Sequence, residues 1–308
     1  MAWNEPTPSR GAGVPALDGG AGYLKTFVLM AALIAVLAIG GNLAGGYQGM
    51  VLFGGIGLVM NFAMYFFSDR IALAANRAQP VTREQLPEVY DIVERLTRKE
   101  GMPMPGIYLI PSDAPNAFAT GRSPSHAAVA VTEGILRVLD RPQLEGVLAH
   151  ELSHVKNRDV LIATVAAGIA GLVASLGHMI QWAGIFGGLG GRDEEGHGGG
   201  ALAALAWAIL APLIAMLVQL AVSRSREYAA DASGARMLGD PEPLAQALER
   251  LERGNDVRPY EFAGPATAHL FIVNPLHGRN FASLLSTHPP LEERVKRLRE
   301  MRRGVRFA

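Results

Sequence analysis

The stretch His150-Glu151-Leu152-Ser153-His154 decides how this chain is read. On an α-helix, positions i and i+4 stand on one face a turn apart, so both imidazoles can aim a ring nitrogen at one zinc ion. Glu151, one position past the first histidine, can reach a water beside the metal without binding the metal itself, the placement of a general base. The helix carrying them is legible as well. Asp140 with Gln143 three residues later makes a capping-box start, and Leu144, Val147, Leu148, Leu152 and Val155 continue it.

A hydrolytic zinc centre needs a third protein ligand and an open fourth position. The chain has no cysteine, which excludes disulfides, thiolate sites and a cysteine nucleophile and leaves the ligand to His or a carboxylate. Glu227 is the best candidate. Glu227-Tyr228-Ala229-Ala230-Asp231 sets Glu227 and Asp231 at i and i+4 on a second helix, where Glu227 would bind zinc and Asp231 would accept the second ring N–H of a ligand histidine. On spacing alone the same pair reads more readily as ordinary charges on a surface helix beside Arg224 and Arg226. His126, His178, His197, His269 and His277 stand without ligand spacing and read as structural or solvated.

Outward from the metal helix, the chain is dominated by four apolar runs. Of its 308 residues 49% are hydrophobic, and the mean hydropathy is +0.19, above what a soluble enzyme needs. The runs cover about Phe27–Leu43, Met50–Phe67, Val160–Phe186 and Ala201–Val222, each near the length that crosses hydrocarbon. They predict two hairpins, the first competing with a cleaved signal peptide and the second with a pair of buried core helices. Arg10, Lys25, Arg70, Arg77, Lys156, Arg158, Arg224 and Arg226 flank the runs on one side, which places both termini and the middle segment in the cytoplasm. A formal net charge of zero gives no sign of a nucleic-acid partner.

The remaining segments read as a soluble part. Thr82 with Gln85 predicts a helix start, Leu86, Val89, Tyr90, Val93 and Leu96 its buried face, and Gly101 its stop. Ile107–Ile110, Asn116–Gly121 and Ala127–Val131 read as short strands of a small sheet. An extended substrate is expected to pair with the sheet edge around Ala127–Val131, with Asn116, Ala117 and Phe118 lining the cleft. Pro289 and Pro290 open a last helix, docked by one face, whose basic side with Arg297, Arg299, Arg302 and Arg303 is a candidate for anionic lipid.

In order along the chain, the two apolar spans, Asn116-Ala117-Phe118-Ala119-Thr120-Gly121, the HExxH helix, two further apolar runs, Ser223-Arg224-Ser225-Arg226-Glu227-Tyr228-Ala229-Ala230-Asp231 and Thr287-His288-Pro289-Pro290-Leu291-Glu292-Glu293-Arg294 resemble HtpX-type zinc metallopeptidases. The resemblance implies an α+β, mainly helical, integral membrane protein with two apolar hairpins and a zincin-like (gluzincin) catalytic domain holding a small β-sheet. Residues 1–24, rich in Gly and Pro and a departure from that family's pattern, read as a flexible tail, 25–68 as a transmembrane hairpin, and 69–308 as the peptidase domain interrupted by an apolar hairpin at 160–222.

It further implies one zinc ion per chain held by His150, His154 and Glu227, with Asp231 in support and Glu151 as base. His288 becomes a candidate oxyanion stabiliser, against a plainer role capping or packing before the final helix. The expected setting is the bacterial inner membrane, multi-pass, the site facing the cytoplasm, acting on misfolded or damaged membrane proteins. An intramembrane protease is disfavoured by the charges around the motif, among them Asp140, Arg141, Glu145, Lys156, Arg158 and Asp159. A prenyl-protein endopeptidase would usually carry more spans. From another class, a membrane scaffold or holdase with a metal site and little turnover stays open.

Overall fold

The structure, a computed structural model, describes residues 19–158, 161, 224–257, 272 and 289–304. The second pair of apolar runs and residues 1–18 lie outside the described residues. Within them the chain is mostly helical with one small mixed sheet.

The first element, α1 (Gly19–Ala75), begins inside the stretch expected to be a tail and doubles back on itself. Asn61 Nδ2 donates to the Met30 carbonyl at 2.7 Å, although a straight helix would hold residues 31 apart at about 46 Å. Gly46, at φ +59, supplies the turn that an L side chain would resist. The two arms meet through small residues: a Cβ on Gly49 would fall 2.1 Å from the Gly41 carbonyl oxygen, and Gly54 faces Ala38. Among the described residues one helical stretch, Gly46–Phe67, is long and apolar enough to cross a membrane, with mean hydropathy 1.8 and only 12% of its window buried.

The sheet runs in the order β1 (Gln79–Pro80), β2 (Gly106–Ile110), β4 (Ala127–Thr132), β3 (Ala117–Gly121). β2 and β4 are parallel, and the two outer strands are antiparallel to their neighbours. β4 is therefore an inner strand, and the edge expected around Ala127–Val131 belongs to β3 instead. Short apolar strands carry their hydrophobicity legibly but not their neighbours, because both faces of an inner strand are buried whichever side it pairs on.

Side-chain alternation gives this sheet two cores. Ile107, Ala117, Ala119, Val129 and Val131 face the helices, while Ile110, Phe118, Ala128 and Ala130 meet Ala72 and Leu73 at the base of α1.

The helix expected from Thr82 starts later, as α2 (Pro87–Glu100). Gln85 does accept from the Thr82 N–H at 2.8 Å, but Pro87 disfavours helical geometry at Leu86 and then takes the first helical turn itself. Gly101 ends it at φ +65, as its position implies. A short α3 (Glu133–Val138) is capped by Thr132, which accepts from Ile135 N at 3.1 Å.

α4 (Arg141–Asn157) shows both arms of its capping box: Gln143 N donates to Asp140 at 3.0 Å, and Asp140 N donates to Gln143 at 3.3 Å. It is enclosed by β3, α2, α5 (Arg224–Leu238) and α6 (Glu242–Val257). α7 (Leu291–Arg302) docks on α6 through Val295 and Leu298. Acids from α6 line part of its basic side. Arg299 bonds Glu249 at 2.8 Å and Glu242 at 3.2 Å, and Arg302 reaches Glu242.

α6 approaches α4 closely at Gly146, where an added Cβ would lie 2.7 Å from Leu244 N. Backbone cannot yield as a flexible side chain would. Gly146→Ala should destabilise the detergent-purified protein by about 1–3 kcal/mol, read as a lowered melting midpoint, and an unchanged midpoint would refute this account of the interface.

Candidate metal centre

Both histidines stand on the enclosed helix α4, so their rings are positioned by a rigid core and not by a loop. Their Nε2 atoms lie 3.2 Å apart. From α5, Glu227 brings Oε2 to 3.7 Å from His150 Nε2 and Oε1 to 3.6 Å from His154 Nε2. One ligand atom from each of the three falls within 4.8 Å of the others. Tetrahedral zinc with bonds near 2.0 Å would space its ligand atoms about 3.3 Å apart, so these separations suit one such ion.

Gly234 explains why the helices can come this close. A Cβ there would stand 3.0 Å from His150 N and 3.1 Å from Ala149 C, so a side chain would push α5, and Glu227 with it, off α4. One turn earlier, Asp231 Oδ1 lies 2.9 Å from His150 Nδ1. That bond sets the proton on Nδ1 and leaves the Nε2 lone pair facing Glu227 and His154. Burial depresses the His150 pKa, and the charges of Arg294 and His154 add to this against Asp231, so the ring is neutral and able to ligate.

The residue that sequence reading missed is Arg294. It is fully buried, and its Nε and one terminal nitrogen grip the two oxygens of Asp231 at 2.8 and 2.7 Å. The other terminal nitrogen donates to the Ile272 carbonyl at 3.2 Å and lies 3.7 Å from Glu227. Burial alone would raise the Asp231 pKa, but the charge and hydrogen bonds of Arg294, with the His150 bond, bring it down to about 2. Arg294 in turn is held charged by Asp231, Glu227 and Glu151 against the opposing effect of burial.

Glu151 points to the sheet. Its Oε2 accepts from Ala119 N of the edge strand at 2.8 Å. Burial first, then the nearby Glu227 charge, push its pKa up to about 8, with His154 as the main opposing charge. With Glu151, Glu227 and Asp231 ionised, three carboxylates face one guanidinium, leaving a double negative charge in a buried place. A divalent cation neutralises that imbalance, so the donor set and its charge both fit a metal ion.

The other expected site residues fall as follows. Asn116, Ala117 and Phe118 are buried, and Phe118 turns toward the base of α1, away from the metal face. What β3 offers outward is main chain: Ala119 N meets Glu151, and the Ala117 carbonyl accepts from Ile272 N at 3.4 Å. His288 lies outside the described residues.

Residues 83–302 match peptidase family M48. The chain therefore belongs to that family and is a metalloprotease, a hydrolase acting on protein substrates. Relatives that share nearly its full length include the protease HtpX homolog of Syntrophobacter fumaroxidans, 53% identical over 277 residues, covering 90% of this chain and 98% of that one. That of Pelotomaculum thermopropionicum is 54% identical over 278 residues with the same coverage. The Pyrococcus furiosus homolog is 49% identical over 287 residues, covering 92% and 98%. Among solved structures, the crystal structure of S. mikatae Ste24p shares the fold at TM-score 0.50 and 20% identity, covering 90% of this chain and 65% of that one.

Two outcomes follow from the geometry. Arg294→Lys keeps the charge but loses the planar two-pronged grip on Asp231, and should weaken metal affinity by roughly 10–100-fold in a chelator-competition titration; unchanged affinity would remove Arg294 from the account. In metal-free protein, the raised Glu151 pKa means stability is complete below its unfolded value near 4.5 and is lost as pH climbs through about 8. Melting midpoints of the metal-free wild type should fall across that window, and those of Glu151→Gln should fall less. Parallel curves would show that Glu151 is not the titrating group.

Proposed function

We propose that this chain is a membrane-embedded zinc endopeptidase in which His150, His154 and Glu227 hold the metal, Asp231 orients His150 and Glu151 is the general base. The convergence of three ligand atoms on one point, with Glu151 tied to the neighbouring strand edge, carries the reading. Bound zinc supplies Lewis-acid polarisation of the scissile carbonyl and makes water acidic enough to give up its proton near neutral pH. Glu151 takes that proton and later passes it to the leaving amine.

An extended substrate pairs with the outer edge of β3 by displacing the groups that occupy it, Glu151 from the Ala119 N–H and the Ile272 N–H from the Ala117 carbonyl. Binding there brings the scissile bond beside Glu151, whose carboxylate the exchange releases from the strand. The cleft-lining role expected of Asn116, Ala117 and Phe118 thus becomes one of holding the strand in place. Asn116 does so through Thr132, whose Oγ1 accepts from Asn116 N at 2.8 Å. His288, six residues before Arg294, is assigned from the family resemblance to steadying the developing oxyanion.

The apolar stretch Gly46–Phe67 supports a membrane setting, and the one-sided arginines and lysines around the apolar runs support a multi-pass inner-membrane protein with its site toward the cytoplasm. Misfolded or damaged membrane proteins are the substrates that such a placement suits. A holdase with little turnover would bind clients equally well without its base.

The test compares detergent-purified wild type with Glu151→Gln and Glu227→Ala for zinc content and casein cleavage. Glu151→Gln should retain zinc and lose at least 10²–10⁴-fold in kcat, while Glu227→Ala should lose zinc. A zinc-loaded, active Glu227→Ala protein would place the third ligand elsewhere, and a Glu151→Gln protein that still cuts would remove the base assignment.

A further inference from the structure

Asn116 bonds β4 through its carbonyl, and the alternation of an antiparallel pair then turns the N–H and C=O groups of Ala117 and Ala119 away from β4. Three of those outward groups are taken by this chain itself. Asn116 Oδ1 accepts from Ala117 N at 3.0 Å, Glu151 accepts from Ala119 N at 2.8 Å, and Ile272 N donates to the Ala117 carbonyl at 3.4 Å. The first two partners are side chains, which can rotate aside. The third is main chain, and its bond is longer than a typical N–H···O contact.

Ile272 has the contacts of a bound peptide residue. Its N–H lies on the edge strand, and its C=O accepts from Arg294 Nη1 at 3.2 Å, the same nitrogen that stands 3.7 Å from Glu227. Its side chain is 2% exposed and belongs to the apolar cluster on the metal face of the sheet, with Ala117, Ala119, Val129 and Val131. A residue paired across from Ala117 presents its side chain on the same face as Ala117. The small alanine leaves room there, and Ile272 fills it.

We propose that Ile272 is a pseudosubstrate: it occupies the seat of a substrate residue on β3, and the residue that replaces it is a branched aliphatic one within about two positions of the bond that is cut. This deepens the peptidase reading and rests on it. The offset follows from Ala117 and Ala119, about 7 Å apart along the strand, one beside Ile272 and the other bonded to Glu151. The exchange conserves every contact. The incoming N–H takes the Ala117 carbonyl, the incoming C=O takes Arg294 Nη1, and the incoming side chain refills the apolar pocket, so no buried donor is left unpaired. A charged side chain would be buried in that pocket without a partner, which is the source of the selectivity. Because the seat is already taken, apparent affinity for any substrate falls with the fraction of molecules in which Ile272 occupies it.

The experiment digests casein with full-length, zinc-loaded protein in detergent and sequences the products by mass spectrometry. Wild type should cut where Ile, Val or Leu holds one fixed position within about two residues of the broken bond. A short fluorescent Ala/Ser peptide with one central Ile should bind Glu151→Gln about tenfold tighter than its counterpart with Asp in that place. Ile272→Gly should lower KM for casein about fivefold, a larger change than in kcat. Ile272→Thr, which keeps the branched shape, should lower it less.

A residue serving packing alone would lower the melting midpoint when changed and leave KM where it was. Cuts without aliphatic preference, equal binding of the two peptides, or a KM unmoved in both Ile272 variants would each overturn the pseudosubstrate assignment. Zinc-loaded wild type that binds the Ile peptide selectively yet cuts nothing would overturn the peptidase reading and leave the seat standing.

Discussion

A guanidinium with no exposure is one of the most expensive groups a protein can bury, and the arrangement of this site follows from how Arg294 is compensated. Both oxygens of Asp231 are committed to it. Asp231 still has a lone pair for His150 Nδ1, and that bond fixes which nitrogen of His150 faces Glu227 and His154. α7 is thereby locked to α5, and α5 to α4. Ile272 is drawn into the same network, with its carbonyl on Arg294 and its N–H on the edge strand. Losing the guanidinium would strand Asp231 as an unpaired buried charge, and the histidine it orients would lose its preferred tautomer.

The close approach of α4 and α5 is the geometric counterpart of this charge network. Gly234 lets the two helix backbones come near enough for a glutamate, with its short reach, to meet both imidazoles. Gly146 does the same for α6 on another side of α4. With β3 and α2 on the remaining sides, α4 is buried over most of its length, polar Gln143, His150, Glu151 and Ser153 included, because it is encased in protein. Here the capping box at Asp140 and the ionic contacts of Glu145 with Arg95 and Arg141 show a helix whose ends and one flank meet water.

How much of this the sequence disclosed depends on whether a feature is local. The i, i+4 pairs at His150/His154 and Glu227/Asp231, the Asp140 cap and the Gly101 stop are all set within one or two helical turns, and each stands where its spacing puts it. Pro87 was equally local, but the Thr82/Gln85 signal overshadowed it. Strand order is not local, so β4 passed for an edge. Arg294 was hidden by its company, since Lys296, Arg297, Arg299 and Arg302 make the helix look like a solvated basic surface. Its position gave a usable sign: it shares a face with Leu291 and Leu298, three residues after one and four before the other, where an unpartnered arginine would not be tolerated.

The same local and non-local contrast bears on whether the site exists for chemistry or for shape. Glu151, Glu227, Asp231 and Arg294 are each less than 10% exposed and crowd within a few ångströms, where apolar residues of similar volume would serve stability as well or better. A scaffold that only gathered clients would gain nothing from that crowding. Glu151 is the least economical member. Its pKa is displaced to about 8 by burial, and its hydrogen bond goes to an edge strand N–H that structure alone does not require it to serve. A carboxylate held ready to change protonation state, beside the proposed metal ligand His150 and in contact with an edge strand, suits the proton-transfer role proposed for it. The buried guanidinium then has a second consequence, because by neutralising Asp231 it leaves the charges of Glu227 and Glu151 to be balanced by the cation proposed for the site.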